Sequence, residues 1–313
     1  MDERYNRRMR SDGIVPAIRA RLAAELAPPQ GDYVPFRVDG RTVGWLDAGR
    51  AARLRAFPGI FDDAGPAVSL VASLADCRAR TAALERVTRA LAAAGLLSAW
   101  RDERYAVAPQ FGTAPLVDIE RAAARYFGIR TFAVHVNGLV HGNDGVAMWL
   151  ARRSPVKAID PGMLDNLVGG GIATGFGVVD TLCKEAWEEA GIPASVAASA
   201  RAEGSLDVCR PQRQGLQRET IFVYELVLDA DFVPANQDGE AVEHRLVSLP
   251  AAARLIAAEA GPDAVTADAS LVIVDCLLRH EMIAPGSPDY RALSELRRAP
   301  LEPTVRSDGL GAW

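Results

Sequence analysis

The sequence predicts an α+β (or α/β) protein in two parts: a small α+β domain over residues 1–128 and a mixed β-sheet between helices over residues 129–313. At 313 residues the chain is long enough for two hydrophobic cores. From Thr131 onward, glycine-punctuated apolar runs have the length of strands, and helical patterns interrupt them. The order of three strands, a helix, three strands and a helix is typical of a mixed sheet covered by helices on both faces.

The first part predicts short helices and strands. Residues 13–27 have the pattern of an amphipathic helix, which Pro28-Pro29 ends. Residues 34–46 contain two alternating runs joined by Asp39-Gly40, which is typical of a β-hairpin. We also expect helices at 47–56 and 76–94, strands at 67–71 and within 95–108, and a helix from Pro115 to about Tyr126.

The second part predicts six strands and three helices. The strands are expected within residues 131–140, 145–154, 163–172, 205–228 (two strands around Gly215) and 243–250. The helices are expected within residues 173–192, from Pro250 to about Ala260, and from Asp268 to His280. We expect the tail from Pro285 to Trp313 to pack on the surface or to be partly mobile.

Composition excludes several function classes. A net charge of −5 gives no electrostatic footprint for nucleic acid. No apolar run approaches the ~18 residues of a membrane span, and residues 1–13 lack the apolar core of a secretory signal. Four scattered cysteines without metal-ligand spacing indicate reduced thiols. We therefore expect a cytoplasmic protein whose partner is a small molecule, and we leave a homodimer open.

Residues 169–192, GGGIATGFGVVDTLCKEAWEEAGI, carry the strongest chemical signal. Three glycines end a predicted strand, and a helix follows. On that helix Glu185, Glu188 and Glu189 stand at positions i, i+3 and i+4, so their carboxylates share one face. A solvated acidic face is the ordinary explanation of such a pattern. A hard divalent cation is the alternative, because Mg²⁺ needs several oxygen ligands.

The flanking residues favour the cation. The stretch resembles the Nudix box, G-x5-E-x7-R-E-U-x-E-E-x-G-U with U aliphatic: Gly170 opens it, KEAWEE fills its centre, and Gly191-Ile192 closes it. Phe176 stands where the family has Glu, and Lys184 stands where it has Arg. The resemblance implies that these two family residues brace the loop against the helix. Here we expect apolar packing to hold the loop instead, with Lys184 finding another partner.

Longer segments resemble the Nudix hydrolases related to the amino-terminal half of fungal thiamine pyrophosphokinase, including the small domain that precedes Nudix in that family. The likeness runs from about residue 13 to 290. Its segments are FRVDGRTVGWL, RTAALERVTRALAAAGLLSAWRDERYAV, ERAAARYFGI, MWLARRS, PGMLDNLVGGGI and GLQRETIFVYEL. The resemblance implies a Nudix fold. It also implies hydrolysis of thiamine diphosphate, and preferentially of its oxidised analogues, to the monophosphates.

The implied chemistry is metal-assisted attack of water on a diphosphate, with Mg²⁺ or Mn²⁺ as cofactor. The resemblance implies Glu185, Glu188 and Glu189 as catalytic residues and metal ligands, with a backbone carbonyl of Gly169 or Gly170 as a further ligand. The general base stays open, because it differs among Nudix enzymes. Outside the box, Glu240 and Glu243 are the candidates, against the alternative of a solvated acidic loop.

Three basic residues precede the box and are expected to bind substrate: Arg152, Arg153 and Lys157. Arginine suits phosphate by its two-pronged fork and lysine by its point charge. Because side chains alternate along a strand, at most one of the two adjacent arginines should contact the ligand.

Other features have weaker implications. Trp149, Phe222 and Tyr224 are candidates for a wall against a heterocycle, although each is more often simple core. The charge cluster at 101–104 is expected to be a solvated turn. We also hypothesise that the first domain closes one side of the substrate cleft.

Several alternatives stay open. One is a hydrolase of another nucleoside diphosphate derivative, such as ADP-ribose. Another is a catalytically weakened Nudix module that senses a ligand, which the Phe176 departure supports and the three retained glutamates oppose. An isopentenyl diphosphate isomerase is less expected, because it needs a reactive cysteine and no cysteine here lies in a supporting context.

Overall fold

A computed structural model describes residues 13–62, 65–143, 145–258, 260–298 and 300–305. The expectations for the first twelve residues, and for the part of the tail from 306 to 313, lie outside the described residues. Within these ranges, no helix combines the length and the apolarity that crossing a bilayer requires.

The first part of the chain folds into short helices and small sheets. Its elements are, in chain order, α1 (Ile14–Glu25), β1 (Gln30–Gly31), β2 (Val34–Val38), β3 (Arg41–Leu46), α2 (Ala48–Arg55), β4 (Phe61–Asp62), β5 (Val68–Leu70), α3 (Cys77–Ala93), β6 (Arg104–Val107), β7 (Val117–Glu120) and α4 (Ala124–Phe127). One sheet has the order β3-β2-β5-β4, and β6 pairs with β7. The predicted hairpin turn is confirmed, since Asp39 and Gly40 have φ values of 51° and 72°.

The predicted helix from Pro115 to about Tyr126 is wrong in its first part and confirmed at its end, where a 3₁₀ turn at Arg121–Ala123 leads into α4 and Gly128 ends it. Residues 117–120 form β7, in which Val117 lies opposite Val107 and Ile119 lies opposite Tyr105. The buried residues Val117 and Ile119 are two positions apart, which is the period of a strand. A proline at the start of a segment is equally compatible with the loop before a strand, so it could not separate the two structures.

The second part forms a seven-stranded mixed sheet with helices on both faces. Its elements, followed by those of the tail, are β8 (Arg130–Gly142), β9 (Gly145–Arg153), β10 (Leu164–Asn166), β11 (Val168–Gly171), α5 (Val178–Ala190), α6 (Ala194–Ala197), β12 (Arg201–Gln212), β13 (Gly215–Val227), β14 (Ala241–Ser248), α7 (Leu249–Ala257), α8 (Ala267–Arg279), α9 (Pro288–Leu296) and β15 (Thr304–Val305). Strand β8 pairs parallel with β13 and antiparallel with β9 and β11. The predicted fold class is confirmed.

The two faces of this sheet bury separate apolar clusters. On one face Val134 and Val136 of β8 pack with Leu182 of α5. On the other face Ala133 of β8 belongs to the cluster that contains Val272 of α8. Because β8 is covered on both sides, its sequence reads as a continuous apolar run rather than an alternating one.

The helices at the two ends of the chain pack on the second part. Ile18 and Leu22 of α1 are fully buried in the cluster that also holds residues of α7, α8 and α9. The guanidinium of Arg21 donates to the carbonyl of Ile256, at 2.7 Å. Helix α1 was predicted to belong to the 1–128 domain, but its apolar side chains pack on the second part of the chain. Residues from Phe36 onward form a separate core. The boundary near residue 128 stays a prediction.

Candidate active site

Strand β11 and helix α5 bring the glycines and the glutamates together. Gly169, Gly170 and Gly171 end β11, which pairs with β8 at the centre of the sheet. A Cβ on Gly170 would lie 2.4 Å from Cδ of Glu185, so the missing side chain lets that carboxylate approach the strand. Glu189 accepts a 2.8 Å hydrogen bond from the backbone N–H of Gly169. The acidic face of α5 is therefore turned toward the sheet and not simply toward water.

The three glutamates lie at different depths. The exposed fractions of the side chains are 33% for Glu188, 14% for Glu185 and 9% for Glu189. Burial raises the pKa of Glu189 to about 8, although the charge of Lys157 and the N–H of Gly169 lower it. Burial also raises the pKa of Glu185, against the opposing hydrogen bond from Lys184. A cation bound beside these carboxylates would offset this cost of burial.

The two lysines of the chain stand between carboxylates. Lys184 Nζ lies 3.0 Å from Glu185 Oε1 and 2.7 Å from Glu188 Oε2, so Lys184 has found the alternative partner that we expected. Lys157 Nζ lies 3.5 Å from Glu189 Oε1 and 2.5 Å from Glu240 Oε2. An ammonium group thus separates the carboxylates of each pair.

A cavity of about 390 Å³ between the two parts of the chain contains this site. Its lining has nine carboxylates against seven cationic side chains. The carboxylates are those of Glu103, Asp160, Asp165, Glu185, Glu188, Glu219, Asp238, Glu240 and Asp268. The cations are Arg101, Arg121, Arg125, Arg153, Lys157, Lys184 and Arg218. This acidic excess would repel a diphosphate unless further cations accompany it.

The donor set fits a hard divalent cation. Glu185, Glu188, Gly169 and Gly170 all line the cavity. Carboxylate and carbonyl oxygens are the ligands that Mg²⁺ and Mn²⁺ prefer. Glu189 lies just behind this lining, where it holds the N–H of Gly169. These residues would hold the metal. The role of each one as a ligand stays a prediction.

The box glutamates are spread apart by the lysines. In the described part of the chain, one group of three acidic, cysteine or histidine side chains has all its ligand atoms within 4.8 Å of one another: Glu225, Cys276 and His280. Glu225 is already engaged there by Arg279. The box carboxylates would therefore have to exchange their lysine contacts for the metal.

Of the two candidate bases outside the box, Glu240 faces the cavity and Glu243 does not. Glu240 binds Lys157 at 2.5 Å and accepts a 2.7 Å hydrogen bond from Arg101. Burial raises the pKa of Glu240, but these two partners outweigh it and lower the pKa to about 2. Glu243 instead accepts a 2.6 Å hydrogen bond from Arg152, outside the cavity. Glu240 is thus well placed but weakly basic.

The two adjacent arginines point in opposite directions, as alternation along β9 requires. Arg153 lines the cavity and donates to Asp165 at 2.6 Å. Arg152 donates to Glu243 at 2.6 Å and to Asp263 at 2.5 Å, outside the cavity. The structure therefore does not bring Arg152 to the cavity, and of this pair Arg153 alone lines it. Substrate binding by Arg153 and Lys157 stays a prediction.

The expected apolar packing of Phe176 is also wrong, since this side chain is 49% exposed. Hydrogen bonds to the first part of the chain hold the loop between β11 and α5 instead. The N–H of Thr174 donates to the carbonyl of Arg104 at 2.8 Å, and its hydroxyl donates to Asp118 at 3.1 Å. Strands β6 and β7 therefore support the loop where a brace on α5 was expected.

Tyr105 of β6 reaches the glycine strand itself. A Cβ on Gly171 would lie 2.0 Å from the hydroxyl oxygen of Tyr105, which is buried. A side chain of the first domain thus requires glycine at position 171, and no local sequence pattern reveals that reason.

The aromatic candidates for a substrate wall belong to the core, as the ordinary reading predicted. Trp149 and Tyr224 pack against the cluster of α5. Phe222 lies against the rings of Phe132 and Phe111, with centroids 6.4 Å and 5.0 Å away. None of Trp149, Phe222 and Tyr224 belongs to the cavity lining.

A polar network lines another part of the cavity. Gln217 donates to Asp268 at 2.9 Å and to Glu219 at 3.0 Å, and Thr131 donates to Glu219 at 2.9 Å. Thr131 stands two positions along β8 from Ala133, which pairs with Gly171. The network therefore begins roughly 7 Å along the strand from the nearest of the three glycines. Sequence reasoning missed it, because its members come from three separate elements.

Sequence reasoning also missed what the first part contributes. Arg101 and Glu103 were expected in a solvated turn, but both line the cavity together with Arg121. Arg121 donates to Glu103 at 2.5 Å and lies over the ring of Tyr105. A charged turn has the same sequence pattern whether water or a cavity faces it, so only the tertiary contacts distinguish the two.

Glycines on a strand beside the centre of a mixed sheet, facing an acidic helix, are the arrangement of a diphosphate-hydrolase site of the Nudix type. Comparison with known families agrees. A Nudix domain model matches residues 131–268, and a domain of unknown function (DUF4743) matches residues 19–131.

Two relatives from Arabidopsis thaliana are similar over most of the chain. Nudix hydrolase 24, chloroplastic, is 38% identical over 262 residues, which are 83% of this chain and 71% of the relative. Nudix hydrolase 20, chloroplastic, is 35% identical over 277 residues, which are 86% of this chain and 73% of the relative. The solved structure of DR0079 from Deinococcus radiodurans aligns with 47% of this chain and 82% of its own, at 23% identity and a TM-score of 0.37.

This chain belongs to the Nudix hydrolase family. It is an enzyme, a pyrophosphohydrolase, and hydrolases of this family generally use divalent metals such as Mg²⁺ or Mn²⁺.

Proposed function

We propose that this enzyme hydrolyses thiamine diphosphate, or its oxidised analogues, to the monophosphate. The observation that carries the proposal is the polar network of Thr131, Gln217, Glu219 and Asp268, which lines the cavity beside the glycines. Thiamine has a cationic thiazolium ring and an aminopyrimidine, which are suited to carboxylate and amide acceptors. With the diphosphate at the glycines, the heterocycles would extend along β8 toward this network. The likeness of nearly the whole chain to the thiamine-related Nudix proteins supports the same substrate.

The residues of the chain have separable roles in this reaction. Glu185, Glu188 and the carbonyls of Gly169 or Gly170 would hold the divalent metal, which when bound neutralises phosphoryl charge and acidifies water. The carboxylate of Glu189 accepts a hydrogen bond from the backbone N–H of Gly169. Glu189 would thereby position β11, whose carbonyl at Gly169 or Gly170 is the expected ligand. Lys157, released from its carboxylates, is placed to bind phosphoryl oxygens.

For the general base there are two kinds of candidate, Glu240 and a glutamate of the box. Glu240 lines the cavity, but two cations share its carboxylate and lower its basicity. A glutamate of the box is the better candidate, because Glu185 and Glu188 line the cavity on the metal side.

The test is release of monophosphate from a panel of thiamine diphosphate, its oxidised analogues, ADP-ribose and dinucleoside polyphosphates, with Mg²⁺ and with chelator as control. A kcat/KM at least about tenfold higher for the thiamine compounds than for the nucleotides supports the proposal. A preference for ADP-ribose would replace it with a nucleotide hydrolase. Binding of these compounds without turnover of any would contradict it as well.

A further inference from the structure

We propose that Arg101 and Arg121, both from the small first domain, bind the diphosphate of the substrate. The inference rests on the proposed function only in requiring a diphosphate ligand, and it does not depend on the heterocycle. It makes the first domain part of the substrate site rather than a cover over it.

The two arginines reach the cavity beside different residues of the site. Arg101 lies just before β6, and its Nη1 donates to Glu240 at 2.7 Å, beside Lys157. Arg121 follows β7 and lies over the ring of Tyr105, with 5.6 Å from its guanidinium carbon to the centroid. The hydroxyl of Tyr105 in turn abuts Gly171. A diphosphate at the glycines would therefore lie in a cavity that both guanidinium groups line.

The remaining donors distinguish these arginines from the others of the lining. A guanidinium has five N–H donors. Within the described part of the chain, the guanidinium of Arg101 uses Nη1 alone, toward Glu240, and that of Arg121 uses Nη1 alone, toward Glu103. Arg153 engages Nε, Nη1 and Nη2 with Asp165 and with two backbone carbonyls. Arg101 and Arg121 can thus take a ligand without giving up their present contacts.

Accessibility and position agree with this assignment. The side chains of Arg101 and Arg121 are 39% and 33% exposed, and both line the cavity. Arg218 is committed to the carbonyls of Val43 and Gly128. The charge of Arg125 helps to lower the pKa of Asp268, so it already stabilises a carboxylate of the polar network.

The chemistry of the ligand follows from the donors. A planar fork matches two oxygens of a phosphoryl group, which a single ammonium cannot do. A charge-assisted hydrogen bond contributes enough to change the dissociation constant about tenfold or more. Two forks could thus each bind one of the two phosphoryl groups of a diphosphate.

The experiment measures binding of methylenediphosphonate, a diphosphate whose bridging carbon resists hydrolysis, to the full chain with Mg²⁺ by calorimetry. R101Q and R121Q should each raise the dissociation constant about tenfold or more, and R101K should fall between R101Q and the unaltered protein. R89Q is the matched control, since Arg89 pairs with Glu85 at 2.9 Å and lies outside the cavity lining. Binding of Mg²⁺ alone should be no weaker in R101Q, because no carboxylate is removed.

Unchanged affinity for methylenediphosphonate in both R101Q and R121Q would overturn the inference, and so would an unaltered protein that fails to bind it. Thermal melting identifies any variant that has not folded. If R121Q does not fold, the affinities of R101Q and R101K for methylenediphosphonate test the inference, because Arg101 is the more exposed residue. An unaltered protein that binds this probe but leaves thiamine diphosphate intact would reject the proposed function and keep this inference.

Discussion

The hydroxyl of Thr174, in the loop between β11 and α5, donates a 3.1 Å hydrogen bond to the carboxylate of Asp118 on β7. The backbone N–H of Thr174 donates to the carbonyl of Arg104 on β6, so a single residue ties the loop to both strands. This loop joins the glycines to the acidic helix. Its geometry therefore depends on the first domain.

Removing that bond should slow the reaction without weakening substrate binding much. We expect T174V and D118A each to lower kcat about five- to tenfold, because a hydrogen bond of this kind contributes about 1 kcal/mol. T174S and D118N retain a donor and an acceptor, so they should stay near the unaltered rate. Steady-state kinetics measures the effect. A rise in KM at constant kcat would show that the bond serves substrate binding instead.

Glu188 should be needed for the metal. E188Q removes a charged oxygen ligand, and we expect kcat to fall roughly a thousandfold, since charge stabilisation by a metal contributes several kcal/mol. E243Q is the matched control, because Glu243 pairs with Arg152 outside the cavity, and its rate should change less than about twofold. A normal rate in E188Q at saturating Mg²⁺ would remove Glu188 from the metal site.

Glu240 should matter less than the box glutamates. Its carboxylate is shared by Lys157 and Arg101, which makes it a poor proton acceptor. We therefore expect E240Q to lose about tenfold in kcat or less, because it disturbs two cations without removing the base. The same assay compares it with E188Q. An equally severe loss in E240Q would instead identify Glu240 as the general base.

Gly171 should not tolerate a methyl group. The Cβ of G171A would lie 2.0 Å from the hydroxyl oxygen of the buried Tyr105, and such overpacking costs typically about 1–3 kcal/mol. Denaturant unfolding should show this loss in G171A. The double variant with Y105F should recover part of it, because the nearest clashing atom is gone. Equal stabilities of G171A with and without Y105F would mean that the loop moves away instead.

Glu225 should stabilise the fold in a pH-dependent way. Burial raises the pKa of Glu225, but His280 and Arg279 outweigh burial and lower the pKa from 4.5 to about 2. The shift corresponds to about 3 kcal/mol, which is fully present above pH ~4.5 and is lost as the pH falls toward 2. Urea unfolding of E225Q should therefore show a large deficit at pH 7 that narrows steadily below pH ~4.5. A deficit that is constant with pH would assign the effect to packing.

Local patterns predicted much of this protein correctly. Apolar runs gave the strands of the large sheet, because β8 is covered on both faces and its composition reflects that burial. The failed helix at Pro115 lies where a short strand needed a partner from β6, which local sequence does not reveal. The pair Arg152 and Arg153 shows the limit of periodicity. Alternation required the two to diverge, but which one faces the cavity depends on how β9 lies in the sheet.

Local sequence was enough to predict the box, since the spacing of Gly170, Glu185, Glu188 and Glu189 is a property of one strand, loop and helix. The surroundings of the box depend on contacts between distant parts of the chain. Thr174 meets Asp118, and Arg101 meets Glu240, across more than fifty residues of chain in each case. Such contacts form because the first domain packs onto the sheet as a body. A charged turn that any surface could carry thereby becomes one wall of the active site.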